Sequence, residues 1–332
     1  MTSIKIFGVR EEDIPYIKAW STKHSVTVDL DEALLSSETV DRAKGFDGVS
    51  ISQQISFGED VYRKLHEFGI KQIAQRSAGF DIYDFDLAEK YDLIISNVPS
   101  YSPHSIAEYT VSQALNLVRN YNDIQQKTAS YDFRWQPAIL SRSIKDLKVA
   151  VIGTGRIGSI VAKIFSQGFE AEVIAYDIVP NESYKSFLTY ANSIKEAVQE
   201  ADIVTVHIPA SKDSDYLFDD ALFNEFKPGS VFINCARGSI VKTSALLHAL
   251  DNGILKGAAL DTYEWEKGLF PSDQRQTGLK DEVLKQLIER QDVIVSPHIA
   301  FYTDAAVENL IVDALDATIE VIETGDTKLR VN

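Results

Sequence analysis

Lys148-Val149-Ala150-Val151-Ile152-Gly153-Thr154-Gly155-Arg156-Ile157-Gly158 is the stretch on which the reading of the fold turns. It opens on a short apolar, β-branched run of the kind that forms a strand buried on both faces. The glycines follow at once, and beyond them Ile157, Ile160, Val161, Ile164 and Phe165 recur at helical spacing. A G-x-G-x-x-G pattern by itself is weak evidence, because many surface turns match it. Between a strand and a helix its glycines have separate tasks. Gly153 permits the tight turn, Gly155 lets the backbone approach a diphosphate, and Gly158 lets helix and strand pack closely. The N–H groups of the Arg156-Ile157 turn and the helix dipole then hold the anion.

Working outward, apolar runs recur at 148–152, 173–176, 203–208, 231–234, 257–260 and 293–295, separated by helical patterns such as Ala245, Leu246, Ala249 and Leu250. Six strands alternating with helices predict a doubly wound α/β domain with a parallel sheet and right-handed crossovers. A smaller series precedes it, with strands expected at 4–9, 48–52, 72–75 and 94–97 and a helix at 84–91, without a phosphate-binding glycine pattern. The junction 97–103 ends in Ser102 and Pro103, a cap and first-turn pair opening a helix with Ala107, Val111, Ala114 and Val118 on one face. After Ser296-Pro297-His298 a second long helix is expected at 304–323. The predicted architecture is two Rossmann-like or flavodoxin-like parallel-sheet domains: a central dinucleotide-binding domain, 102–299, inserted into a discontinuous substrate domain, 1–101 with 300–332.

The second strand of the central series ends at Asp177, about 20 residues beyond the glycine loop. A carboxylate there accepts both adenine-ribose hydroxyls and repels a 2′-phosphate. No lysine or arginine follows closely, since Ile178, Val179 and Pro180 come next, so NAD is expected rather than NADP. Ile208 and Pro209 at the end of the third strand, and Cys235 and Ala236 past the fourth, join the expected cofactor set.

Composition narrows the partners. The 332 residues carry 33 basic and 49 acidic side chains, a net charge of -16, which disfavours nucleic acid and anionic membrane surfaces. Cys235, the sole cysteine, excludes an intrachain disulfide and a thiolate metal cluster, and its apolar setting suits a buried structural thiol. No metal site is expected. Residues 1–10 lack a basic region followed by a long apolar run, and no stretch approaches the roughly 18 apolar residues of a membrane span, so the cytoplasm is the expected compartment.

Ligands of open α/β sheets bind beyond the carboxyl ends of the strands. Past the later strands stand Arg237, Asp261 with Glu266, and His298. Together they hold what ketone reduction needs. A guanidinium grips a carboxylate with two parallel hydrogen bonds. An imidazolium gives a proton to the carbonyl oxygen as hydride reaches the carbon. A carboxylate on the second ring nitrogen fixes the tautomer. Each residue also has a bland reading: helix-end pairing for Arg237, a turn for His298, a solvated loop for Glu266. His207 is the rival histidine and Glu264 the rival acid, and spacing does not choose between the two glutamates.

Gln75-Arg76-Ser77-Ala78-Gly79-Phe80-Asp81, the 97–103 junction, the glycine loop, Asn234-Cys235-Ala236-Arg237-Gly238, Leu260-Asp261-Thr262-Tyr263-Glu264-Trp265-Glu266 and Ser296-Pro297-His298-Ile299-Ala300-Phe301-Tyr302 together resemble the D-2-hydroxyacid dehydrogenases, within them the bacterial D-lactate dehydrogenase branch. The resemblance runs over nearly the whole chain. It implies NADH-dependent reduction of pyruvate to D-lactate, with Arg237 binding the substrate carboxylate, His298 as acid/base and Glu266 rather than Glu264 paired with it. By the same resemblance Asp261 positions the nicotinamide amide. The backbone at Ala78-Gly79 donates to the substrate, and Tyr101 and Phe301 line the pocket. Trp135 reaches a neighbouring subunit, which implies a homodimer. Ser52 and Ser77 depart from the tyrosine and asparagine common in the branch, which leaves a larger 2-keto acid such as 2-ketoisocaproate as the alternative. A corepressor-like NAD-sensing protein that binds partner peptides is the alternative from another class.

Overall fold

The computed structural model describes residues 2–332. The chain divides into two compact units, Met1–Ser102 with Tyr302–Asn332, and Pro103–Phe301. The first contains a parallel sheet of five strands: β1 Ser3–Phe7, β2 Thr27–Leu30, β3 Gly48–Ile51, β4 Gln72–Gln75 and β5 Ile94–Ser96, in the order β2-β1-β3-β4-β5. The sequence pattern does not mark Thr27-Val28-Asp29-Leu30 as a strand. It lies at the sheet edge and alternates exposed with half-buried residues, a pattern too short to stand out from a loop. β1 stops short of its expected end because Gly8 turns at φ +62° and Val9 N–H bonds to the Asp31 carbonyl instead.

Both chain ends contribute to this unit. The helix Asp304–Thr324 starts at Thr303, whose hydroxyl accepts from Ala306 N–H, and stops at Gly325 in the left-handed region. Its apolar stripe of Val307, Ile311 and Leu315 is buried with Ile4, Ile6, Ile17 and Trp20. Gly48 allows the helix close to the sheet: a Cβ there would stand 2.5 Å from Thr318 Cγ2. The final residues run beside β5, with Val331 N–H bonded to the Ile95 carbonyl. Asp84 caps the helix Phe85–Lys90 through Leu87 N–H.

The second unit holds seven parallel strands: β6 Lys148–Ile152, β7 Glu172–Tyr176, β8 Thr189–Tyr190, β9 Ile203–Val206, β10 Ser230–Asn234, β11 Leu255–Leu260 and β12 Val293–Val295, ordered β12-β11-β10-β9-β6-β7-β8. The edge strand β8, two residues long, carries no sequence signal. Both faces are covered, and alternation sorts the side chains. Val149, Val151, Ile203, Val231 and Ile233 join one core with Val161 and Phe165. Ala150, Ile152, Val204, Val206 and Phe232 join the other with Leu246 and Leu250. Full burial of each large apolar side chain stabilises by about 1.5–3 kcal/mol, which is why these runs read as continuous apolar segments. The helix Pro103–Val118 is present, but the expected cap is not made. Among the described residues Ser102 Oγ is buried without a partner, and Pro103, lacking an N–H, removes one donor that would need capping.

Strand order reverses between β6 and β9, where chain travel switches from β6-β7-β8 to β9-β10-β11-β12. Crevices at such reversals are where open α/β sheets take ligands.

Candidate active site

The glycine loop lies at that reversal. Gly153 has φ +92°, and a Cβ on it would meet the His207 carbonyl at 2.7 Å. A Cβ on Gly158 would stand 1.9 Å from the Gly153 carbonyl, so the helix Arg156–Lys163 approaches its strand only without one. Gly155 differs. It is exposed, and among the described residues nothing lies within 4 Å of its missing Cβ and no side chain caps the helix it starts. Open space in front of uncapped N–H groups is what a diphosphate requires, so the residues fit a dinucleotide. Arg156 is exposed and Ile157 half-buried on the first turn.

Asp177, just past β7, binds back to this loop. Its Oδ2 accepts from Thr154 N–H (2.6 Å) and Thr154 Oγ1 (3.0 Å), and its Oδ1 from Val179 N–H (3.0 Å). Thr154 Oγ1 also lies 2.9 Å from the Tyr190 hydroxyl on β8. Sequence reasoning misses both Thr154 and Tyr190; the first is an unspecified position of the glycine pattern, and the second sits on the unmarked strand. Ile208 packs beside Gly153, Pro209 carries a carbonyl bonded by Ser214, and Ala236 N–H bonds to the Asn234 side chain. Cys235 is buried, and burial pushes its thiol up to about 12, so it is an inert packing group.

At the adjacent ends of β10, β11 and β12 the ionisable residues gather. His298 Nδ1 lies 2.7 Å from Glu266 Oε1, while Glu266 Oε2 accepts from Tyr263 N–H at 2.8 Å. Both side chains are mostly shielded from solvent. Glu264 is occupied elsewhere, accepting from Thr243 N–H at 3.0 Å. Asp261, 2% exposed, accepts from Ser296 Oγ, Ile299 N–H and Ala300 N–H, three bonds that tie down the turn carrying His298. Asn234 Nδ2 bonds to the Arg237 carbonyl and shapes the turn after β10. A Cβ on Gly238 would sit 2.2 Å from the Tyr263 backbone, so the Arg237 turn lies directly against the segment that leads to Glu266. Arg237 Nη1 bonds to the Ala236 carbonyl, and among the described residues no carboxylate comes within ion-pair distance of its guanidinium.

His207 has a different environment. Its Nε2 lies 3.2 Å from Thr205 Oγ1, no acid pairs with it among the described residues, and burial lowers its pKa from 6.5 to about 3. In the unfolded chain the ring takes up a proton below about pH 6.5 that the native state refuses until about pH 3. Stability is therefore lost as pH falls through that window, by at most about 1.4 kcal/mol per pH unit. Urea unfolding of His207→Asn is expected to show a shallower decline than the parent between about pH 6.5 and 4. Parallel declines would contradict this.

With this geometry in place, the chain can be set beside known proteins. The profile described as D-isomer specific 2-hydroxyacid dehydrogenase, NAD binding domain, matches residues 111–300. A D-lactate dehydrogenase from Staphylococcus aureus is 48% identical over 332 residues, covering 100% of both chains. The chain belongs to the D-isomer-specific 2-hydroxyacid dehydrogenase family. Among solved structures, the NAD-complexed family member from Lactobacillus delbrueckii ssp. bulgaricus aligns with a TM-score of 0.88 at 38% identity over 100% of both chains. A D-2-hydroxyisocaproate dehydrogenase aligns at 0.92 and 33% identity over 99% of each chain. This chain is accordingly an NAD-dependent oxidoreductase.

The remaining expected residues of this dehydrogenase lie apart in the chain. In the unit built from both chain ends, the Ala78-Gly79 turn is held by Asn97 Nδ2 on the Ala78 carbonyl and Ser77 Oγ on the Gly79 carbonyl, both at 2.7 Å. Ser77 thus braces the turn. The Tyr101 carbonyl there accepts from Asn309 Nδ2. In the central unit Phe301 closes the His298 segment half-buried, whereas Trp135 is 98% exposed, next to exposed Tyr131, Phe133 and Leu140. Among the described residues no helix is long and apolar enough to cross a membrane.

Proposed function

We propose that this family member is a D-lactate dehydrogenase that reduces pyruvate to D-lactate reversibly. The observation that carries the mechanism is the 2.7 Å His298–Glu266 pair, at strand ends adjacent in the sheet to that of Arg237, whose guanidinium meets no carboxylate among the described residues. The glycine loop, Asp177, the segments at Ile208-Pro209 and Cys235-Ala236, and Asp261 hold the dinucleotide. When bound, the reduced nicotinamide supplies hydride to the carbonyl carbon. Arg237 binds the keto-acid carboxylate and orients the carbonyl. Glu266 occupies Nδ1 of His298, which leaves Nε2 as the ring nitrogen that gives its proton to the carbonyl oxygen. One hydride and one proton are consumed per pyruvate, and the reverse reaction returns the proton to Nε2.

The Ala78-Gly79 turn, Tyr101 and Phe301 supply the remaining substrate contacts, so the unit built from both chain ends is the substrate domain and the central unit the NAD domain. The exposed Tyr131, Phe133, Trp135 and Leu140 form an apolar arm suited to covering by a second copy, which supports a homodimer. The protein works in the cytoplasm on a small 2-keto acid, with neither nucleic acid nor membrane as partner.

The likeness to a D-2-hydroxyisocaproate dehydrogenase favours one rival substrate. NADH oxidation with pyruvate and with 2-ketoisocaproate, followed by chiral analysis of the products, separates them. The expected result is D-lactate, with the higher kcat/KM for pyruvate. A strong preference for the branched acid transfers the proposal to that substrate. Peptide binding without turnover of either acid would favour the corepressor-like alternative.

A further inference from the structure

In the unit built from both chain ends, β4 runs into Ser77-Ala78-Gly79-Phe80, and every carbonyl of that segment is held by the protein. The Ser77 carbonyl accepts from Val98 N–H at 2.9 Å and the Ala78 carbonyl from Asn97 Nδ2 at 2.7 Å. The Gly79 carbonyl accepts from Ser77 Oγ at 2.7 Å and the Phe80 carbonyl from Tyr83 N–H at 3.2 Å. In a planar trans peptide, fixing a carbonyl also fixes where the next residue's N–H points. Among the described residues the N–H groups of Ala78, Gly79 and Phe80 meet no acceptor. Consecutive unpaired N–H groups suit an anion such as a carboxylate.

The serine that holds Gly79 is itself held. Gln75, buried at the end of β4, gives its Nε2 protons to the Gln53 carbonyl at 2.9 Å and to Ser77 Oγ at 3.0 Å. A carbonyl only accepts, so the Gln53 contact settles which end of the Gln75 amide is nitrogen. Gln75 Oε1 then accepts from the buried Tyr83 hydroxyl at 2.7 Å. Ser77, having accepted from Gln75, gives its one hydroxyl proton to Gly79. Every link has one direction, from Tyr83 to Gln75 to Ser77 to the Gly79 carbonyl, and such chains strengthen each member. We propose that Tyr83, acting through Gln75 and Ser77, is a positioning residue for the substrate carboxylate, fixing the backbone donors of the turn that grips the keto acid. Its own hydroxyl is spent on Gln75. The carboxylate keeps its charge as the neighbouring ketone is reduced, so the turn holds substrate and transition state alike. Loosening it therefore falls on KM rather than kcat. This rests on the reading of the Ala78-Gly79 turn given above.

The test is steady-state pyruvate reduction at saturating NADH by Tyr83→Phe, Ser77→Ala, their double variant, and Ala78→Pro, which deletes one backbone donor outright. Tyr83→Phe and Ser77→Ala are each expected to raise the KM for pyruvate about three- to tenfold, the worth of one net hydrogen bond, with kcat and NADH affinity near the parent values. The double variant should exceed neither single effect, because both changes break one chain. Ala78→Pro should raise KM at least as much. Single variants with the parent KM, even with a lowered Tm, overturn the proposal, as do losses that multiply in the double or fall on kcat alone. A parent KM in Ala78→Pro would instead overturn the reading of the turn as the substrate contact, a separate failure.

Discussion

Exchanging His298 for glutamine is expected to slow keto-acid reduction by a factor of about 10²–10⁴, the usual contribution of a positioned general acid. NADH binding should stay near the parent value. Glutamine preserves polarity and can still donate to Glu266, so the loop after β11 keeps a partner for its carboxylate. What it lacks is an acidic proton to give to the carbonyl oxygen. His207 cannot replace it. That residue follows β9 with its backbone against Gly153, and burial holds its pKa near 3, so near neutral pH it carries no acidic imidazolium proton to give. Stopped-flow NADH oxidation reads the chemical step and NADH fluorescence titration reads binding. Turnover within about tenfold of the parent would remove His298 from the proton-transfer role. A matching loss of NADH affinity would make the residue part of the cofactor cradle instead.

Why these roles can be sought in the sequence at all is a matter of period and position. The central strands are buried on both faces, so they appear as unbroken apolar runs, and whatever polar residue follows each run stands at the carboxyl edge of the sheet. Arg237, Asp261 and His298 are visible for that reason. Edge strands give no such signal: β2 alternates and β8 has two residues, and with β8 go Tyr190 and its contact to Thr154. Glu264 and Glu266 share one ambiguity in any strand-end reading, since both follow β11 in the same short loop. The structure separates their surroundings. Glu264 accepts from Thr243 N–H at the start of the helix Thr243–Asp251, whereas Glu266 meets His298. Hydrogen bonds between distant segments, such as Ser296 with Asp261, depend on which strand ends lie side by side and have no local pattern. Ser102 shows the converse case. A good capping sequence is present, but its hydroxyl is buried with no partner among the described residues.

Arg237→Lys is expected to raise the KM for the keto acid by about 10- to 100-fold, as loss of one charge-assisted hydrogen bond of about 1.5–3 kcal/mol implies, with NADH binding little changed. Charge is retained, so any effect measures geometry. The guanidinium spends one N–H on the Ala236 carbonyl and meets no carboxylate of its own chain among the described residues, although the chain has 49 acidic side chains. Its other donors are therefore available as a planar fork, which matches a carboxylate with two parallel bonds. An ammonium offers a point charge on a flexible stem and holds the keto acid by one contact, free to pivot. The neighbouring backbone sharpens the requirement. Asn234 fixes the Arg237 carbonyl, and Gly238 lies so close to Tyr263 that the turn cannot shift to let a shorter reach compensate. Steady-state kinetics at saturating NADH decide the matter. An unchanged KM would mean that another group carries the carboxylate, and that the missing counter-ion of Arg237 reflects solvent contact rather than a substrate site.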